Sequence, residues 1–142
     1  MQGQKVDFNE TKPFYANMAE DVKRQKQRLG GNFAIAQAVT SREIRNHIRK
    51  FIPECIFIIF TLTKEGQKKR IEARHGTDES SKVILDMMQS IYDLYESPEN
   101  GEKHTYNVNI SENMTPDDVL EKVLTILETN YKSFSRKPIL QR

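Results

Sequence analysis

The strongest β-strand signal in the sequence is the apolar run Cys55-Ile56-Phe57-Ile58-Ile59-Phe60-Thr61-Leu62. Its apolarity is continuous rather than alternating, which is typical of a strand covered on both faces. Strands of that kind occur in parallel sheets that lie between layers of helices. The run therefore predicts a central parallel strand in an α/β domain.

The segments on either side of this run alternate between helical and extended patterns. Two further strands are predicted, a mostly small and apolar one at 32–39 and an alternating one at 105–110 that suits a sheet edge. Helices are predicted over 13–29, 41–51, 64–75, 82–96 and 115–131. Because strands that alternate with helices imply right-handed crossovers, the expected fold is a three-layer α/β/α domain with a mainly parallel sheet.

The 142 residues suit one domain with one hydrophobic core. We expect a polar N-terminal lead-in over 1–12, the α/β domain over 13–131, and a C-terminal tail over 132–142 that has no usable periodicity. The patch at 77–81 is rich in Ser, Thr, Asp and Glu, and it is expected to form a turn.

Composition narrows the classes of function. The 22 Lys and Arg residues against 20 Asp and Glu leave a formal net charge of +2, which is too small to recruit nucleic acid or an anionic membrane. The single cysteine, Cys55, cannot form an internal disulfide, and no apolar stretch approaches the roughly 20 residues of a membrane helix. We therefore expect no nucleic-acid or membrane partner and a cytoplasmic location.

Several pieces of sequence follow the order found in P-loop kinases of small metabolites. They are Lys12-Pro13-Phe14-Tyr15, Phe33 to Ala38, Ser41 to Arg49, Lys69-Arg70-Ile71-Glu72-Ala73-Arg74-His75-Gly76, Tyr106 to Ile110 and Thr115-Pro116-Asp117-Asp118-Val119. Over residues 12–128 the chain thus resembles gluconate and shikimate kinases. The resemblance implies a P-loop NTPase fold, with ATP and Mg²⁺ as cofactors. It also implies transfer of the γ-phosphoryl of ATP to a hydroxyl of a small metabolite such as a sugar acid.

The sequence lacks the phosphate-binding loop of that family. Such a loop, Gly-x-x-x-x-Gly-Lys-[Ser/Thr], follows a strand and opens a helix, whereas the glycine pair Gly30-Gly31 precedes a predicted strand. In the family, this loop and the first strand come before the part that the chain resembles. We therefore expect the C-terminal portion or a short form of a kinase, without the leading βα unit and inactive alone. Its expected partners are a small-molecule substrate or a protein that supplies the missing unit.

The catalytic residues implied by the resemblance are Arg70 and Arg74. They lie four residues apart and share a helix face, so in a lid helix they would close over the transferred phosphoryl group. The alternative is a solvated cationic face, since Lys68 and Lys69 are their neighbours.

The resemblance places substrate binding around the start of the next helix. Arg42 and Arg45 are the implied substrate-binding arginines, with Gln37 and Thr40 as polar contacts, and Arg49 is expected at the surface. These residues follow the strand predicted at 32–39, so they are expected at the carboxyl edge of the sheet, where α/β folds bind ligands. A capped helix with a polar turn is the alternative.

The turn from 111 to 117 corresponds to the part of these kinases that packs near adenine. Thr115 and Asp117 are the implied cofactor-binding residues, although helix capping explains both without a ligand. His47, His75 and His104 have no spacing that suggests a metal site, and none is expected.

Two other functions remain open on the sequence. One is a non-catalytic protein-interaction module on a kinase-like scaffold, with the sheet edge left by the missing unit as its docking surface. The other is a flavodoxin-like or different doubly wound binding domain, because alternation of helices and strands does not choose among such folds.

Overall fold

The apolar run that dominates the sequence forms a strand, β1 (Phe57–Thr61), in a computed structural model that describes residues 8–39 and 41–136. The described part of the chain is mixed α/β, with five helices and one two-stranded sheet. The other elements are α1 (Phe8–Leu29), α2 (Arg42–Phe51), α3 (Lys64–His75), α4 (Glu79–Asp93), β2 (Thr105–Asn109) and α5 (Pro116–Asn130). None of the described helices combines the length and apolarity needed to cross a bilayer.

Strands β1 and β2 pair in parallel, with Phe57 opposite Thr105 and Thr61 opposite Asn109. Helices α3 and α4 form the crossover between them. Hydrogen bonds of 2.8 Å from Phe57 N to His104 O and from Ile110 N to Thr61 O extend the ladder at both ends. The parallel pairing agrees with the prediction from the sequence.

The prediction of a strand at 32–39 is wrong, since this segment pairs with neither β1 nor β2 and is almost entirely exposed. A strand needs a neighbour to hydrogen-bond, and its apolar composition alone does not supply one. The segment instead contacts α1 and α2: Tyr15 Oη donates to Ala38 O at 3.3 Å, and Val39 packs against the core. The predicted contact residue Thr40 lies outside the described residues.

The burial expected for β1 is also not found. Each of its side chains is half-buried or exposed, and Phe60 is 53% exposed. In the described residues the sheet has two strands, and the half-burial of β1 means that its faces are covered only in part. Continuous apolarity correctly predicted a parallel strand but not its degree of burial.

Local capping chemistry fixes most helix boundaries. Ser41 caps α2 by accepting from Ile44 N at 3.2 Å, and Gly76, with a φ of 81°, ends α3. Helix α4 begins at Glu79 rather than at residue 82, because Asp78 accepts a hydrogen bond from Ser81 N at 3.1 Å. Residues 79–81 of the predicted turn are therefore helical.

The buried core lies between α1 and α2. Tyr15, Ile44 and Ile48 form its centre, and the partly buried side chains packed against it are Phe8, Met18, Val39, Cys55 and Phe57. The contact made by Phe8 is consistent with α1 starting five residues earlier than predicted, inside the expected lead-in. This cluster therefore lies at the amino end of β1, while Val108, 3% exposed and opposite Phe60, is buried in the carboxyl half of β2.

Candidate functional site

The carboxyl ends of both strands lie at one edge of the sheet because the strands are parallel. Helices α3 and α5 both begin just beyond this edge. Thr63 caps α3 by accepting from Gly66 N at 3.0 Å, and Thr115 caps α5. The amino ends of two helices, which favour negative charge, therefore follow the two strands at the edge where α/β folds bind ligands.

Helix α3 carries cations beside the loop that joins β2 to α5. Arg70 Nη2 donates to Ser111 O at 3.4 Å, and Lys69 Nζ is 2.9 Å from Glu112 Oε2. Arg74 is exposed one turn later and makes no hydrogen bond or ion pair with the described residues. The structure thus brings the predicted catalytic arginine Arg70 next to the turn predicted to lie near adenine.

Thr115 and Asp118 form a capping box at the start of α5. Thr115 Oγ1 accepts from Asp118 N at 3.2 Å, and Asp118 Oδ2 accepts from Thr115 N at 2.8 Å. The hydrogen bonds with Thr115 lower the pKa of Asp118. Helix capping therefore accounts for Thr115 without a ligand, which agrees with the alternative given for it. Asp117 is exposed in the first turn of α5.

The arginines of α2 face a different part of the molecule. Arg42 pairs with Glu96, at 3.3 Å from Nε to Oε2, and with Glu99. Arg45 forms a bidentate pair with Glu102, at 2.7 Å from Nε to Oε1 and 3.1 Å from Nη2 to Oε2. Three glutamates that follow one another at intervals of three residues meet this arginine face.

Arg49 joins the same cluster from the last turn of α2. Its Nη2 donates to Glu102 Oε1 at 2.9 Å, to Lys103 O at 3.1 Å and to Thr105 Oγ1. Its guanidinium carbon lies 4.8 Å from the ring centre of Phe57. The prediction that Arg49 lies at the surface is wrong, since its side chain is largely buried.

These contacts correct the expected position of Arg42 and Arg45. Arg49 touches Thr105 and Phe57, the first residues of the two strands, so the arginine cluster lies at the amino edge of the sheet. A position at the carboxyl edge requires a strand directly before α2, and the segment there is not a strand. The arginines at 42, 45 and 49 are visible in the sequence, but no local signal links them to the glutamates at 96, 99 and 102.

Glu102 is the electrostatic centre of this cluster. Its side chain is 8% exposed, and that of Arg45 is 0% exposed. Burial alone would raise the pKa of Glu102, but hydrogen bonds from Arg45 and Arg49 outweigh it and lower the pKa to about 2. Arg45 Nη1 and Arg49 Nε are buried with no acceptor among the described residues, so the cluster holds more donors than Glu102 can satisfy.

Charge balance distinguishes the two edges of the sheet. At the amino edge three arginines face three glutamates, so little positive charge remains for an anionic substrate. At the carboxyl edge Arg70 and Arg74 make no ion pair with any described residue.

The remaining predicted contact residue, Gln37, lies at neither edge of the sheet, since it is part of the exposed segment and lines a groove with α1. The carboxyl edge is therefore the candidate site.

The described residues contain no group of three or more His, Cys, Asp or Glu side chains that could hold a metal ion. Comparison of the chain with protein-family models, with curated proteins and with solved structures finds no match. Two structural features bear on function: the carboxyl edge, and the side of β1 that faces away from β2 and has no strand partner among the described residues.

Proposed function

We propose that the chain is the C-terminal portion of an ATP-dependent small-molecule kinase. In this proposal its parallel sheet is completed by a strand that carries the phosphate-binding loop. The observation that carries the proposal is the open side of β1, which is paired in the described residues with β2 alone. Two-stranded sheets are marginal in water, and parallel strands are normally covered on both faces. The half-exposed parallel pair therefore supports the proposal that a further strand completes the sheet.

The ladder identifies the backbone groups available for a new strand. Phe57 N and Thr61 O bond to the β2 side, so alternate residues Ile58 and Phe60 direct their amides to the open side. The three-layer α/β/α fold is the completed state in this proposal.

The direction of the added strand determines where its loop emerges. A strand parallel to β1 ends at the carboxyl edge, so a Gly-x-x-x-x-Gly-Lys-[Ser/Thr] loop after it would emerge beside α3. That loop would bind ATP and Mg²⁺. Arg70 and Arg74 would offset the charge of the transferred phosphoryl group, which passes to a hydroxyl of a small metabolite such as a sugar acid.

ATP turnover tests the proposal. With ATP, Mg²⁺ and a panel of sugar acids, the chain alone is expected to release no ADP above the background. A completing peptide, made of a strand, a Gly-x-x-x-x-Gly-Lys-Ser loop and a helix, is expected to bind the chain and produce substrate-dependent ADP release. The control is the same peptide with alanine in place of the loop lysine. Turnover by the chain alone would contradict the proposal, as would a completing peptide that does not bind.

A second candidate, a non-catalytic protein-interaction module, is favoured by the same open side of β1. In this case a partner adds a strand by main-chain hydrogen bonds and brings no phosphate loop. Binding of the completing peptide without any turnover, over the whole panel of substrates, would favour this module over the kinase.

A further inference from the structure

One helix of the crossover exposes an apolar stripe that no described element covers. Val83 is 68% exposed and Met87 is 55% exposed, and Leu94, at the end of the helix, is also exposed. The three residues, here named the α4 face, are spaced by four and seven and so lie on one side of the helix. Helix α4 packs mainly against α3, through its opposite side. The α4 face is therefore available to another molecule.

A second apolar surface lies in the N-terminal part of the chain. A groove of about 520 Å³ runs between α1 and the segment 33–37. Its apolar lining is Phe14, Met18, Val22, Phe33 and Ile35, and we name it the α1 groove. Phe14, Phe33 and Ile35 are all exposed. Amphipathic helices dock in grooves of this kind through anchors spaced at three, four and seven residues.

The charges beside the two surfaces are complementary. Glu79, Asp86 and Asp93 are spaced by seven and form an acidic row along one side of the α4 face, in which Asp93 makes an exposed pair with Lys64 at 3.8 Å. Arg24 and Arg28 are spaced by four and form a basic row at the border of the groove, where they contact Asp21 and Gln25, two residues that line it. Arg24 pairs with Asp21, and Arg28 Nη2 donates to Gln25 Oε1 at 2.9 Å, but both contacts are exposed and contribute little that a partner could not replace.

We propose that the α4 face of one copy of the chain docks in the α1 groove of a second copy. Methionine side chains adapt to irregular apolar surfaces, which suits Met87 as the central anchor. The acidic and basic rows orient the helix in the groove. Because the two surfaces differ, the contact is heterologous, and it joins copies head to tail into a ring or an open chain. The contact uses neither the open side of β1 nor Arg70, so it is independent of the proposed kinase function.

Light scattering after size-exclusion chromatography tests this contact. The wild-type chain is expected to exceed its single-chain mass of 16.6 kDa as its concentration rises. Met87→Glu and Phe33→Glu place a charge in the apolar contact and should each weaken association about 10- to 100-fold, leaving monomers. Both side chains are exposed, so the fold should survive, which circular dichroism checks. Leu120→Glu, on the exposed side of α5, is the matched control and should leave association unchanged.

Mixing the two variants gives the decisive result. Each variant retains one intact surface, so an equimolar mixture of Met87→Glu and Phe33→Glu is expected to form a species of two chains and no larger one. A wild-type chain that stays monomeric at its highest soluble concentration would overturn the proposal. So would a mixture that stays monomeric, because a contact between two α4 faces or two grooves cannot be restored in this way. An effect of Leu120→Glu equal to that of Met87→Glu would also overturn it.

Discussion

Glu102→Gln is expected to lower the free energy of unfolding by about 3–5 kcal/mol, because it leaves buried guanidinium charge uncompensated. Arg45 is fully buried, and both Arg45 and Arg49 donate to this one carboxylate. Domains of this size are typically stable by about 5–15 kcal/mol, so the loss would be a large part of the total. Urea unfolding followed by circular dichroism measures it.

Glu99→Gln is the matched control for this change. Glu99 also pairs with an arginine of α2, but its side chain is 67% exposed. Exposed ion pairs contribute about 0–1 kcal/mol to stability, so the free energy of unfolding of this variant should differ from that of the wild type by no more than that. Equal losses for the two variants would contradict the central place given to Glu102.

Measuring the free energy of unfolding as the pH is lowered gives a second test of the role of Glu102. The folded pKa of Glu102, about 2, lies below the roughly 4.3 of an unfolded glutamate. Ionised Glu102 therefore contributes roughly 3 kcal/mol to the free energy of unfolding. This contribution is present above pH 5 and is lost as the pH falls toward 2. The wild type should lose this stability over that window, and Glu102→Gln should not show that loss.

Arg70→Ala is expected to lower the kcat of the completed kinase about 10³-fold, if arginine offsets charge on the transferred phosphoryl group. The proposed site is the carboxyl edge, where Arg70 lies beside Ser111 and the start of α5. Removing a cation that acts mainly in the transition state lowers kcat more than it raises KM. The assay is ADP release by the chain together with the completing peptide.

Lys68→Ala is the control for Arg70→Ala. Lys68 is an exposed cation of α3 whose ion partner is Glu72, 3.9 Å away on the same helix. Its loss changes the charge of α3 by the same amount, so a general effect of helix charge would appear in both variants. A decrease in kcat as large as that for Arg70→Ala would indicate a solvated cationic face rather than a site.

Local signals in the sequence predicted the helices well. Helix α3 has the predicted bounds, because Thr63 caps its start and Gly76 allows the positive φ at its end. Helix α5 follows from Thr115-Pro116-Asp117-Asp118, which contains a cap, a proline at the first position and early acids. In such cases the residues that decide the structure lie within a few positions of one another.

Contacts between distant residues explain what the sequence could not predict. The segment 32–39 has strand composition, but whether it becomes a strand depends on a neighbour elsewhere in the chain. Arg45 and Glu102 are 57 residues apart, and Glu102 follows Gly101 in a stretch that reads as a loop. The arginine pattern on α2 was visible, but its partners were known only once the fold placed them together.

Amide hydrogen exchange at Ile58 and Phe60 tests the completion of the sheet most directly. In the chain alone these two amides point to the open side of β1 and should exchange faster than that of Phe57, which donates to His104 O at 2.8 Å. With the completing peptide bound, both should become as protected as Phe57. If Ile58 and Phe60 are already protected in the chain alone, or if they stay unprotected in the complex, β1 does not accept the strand and the proposed kinase function is contradicted.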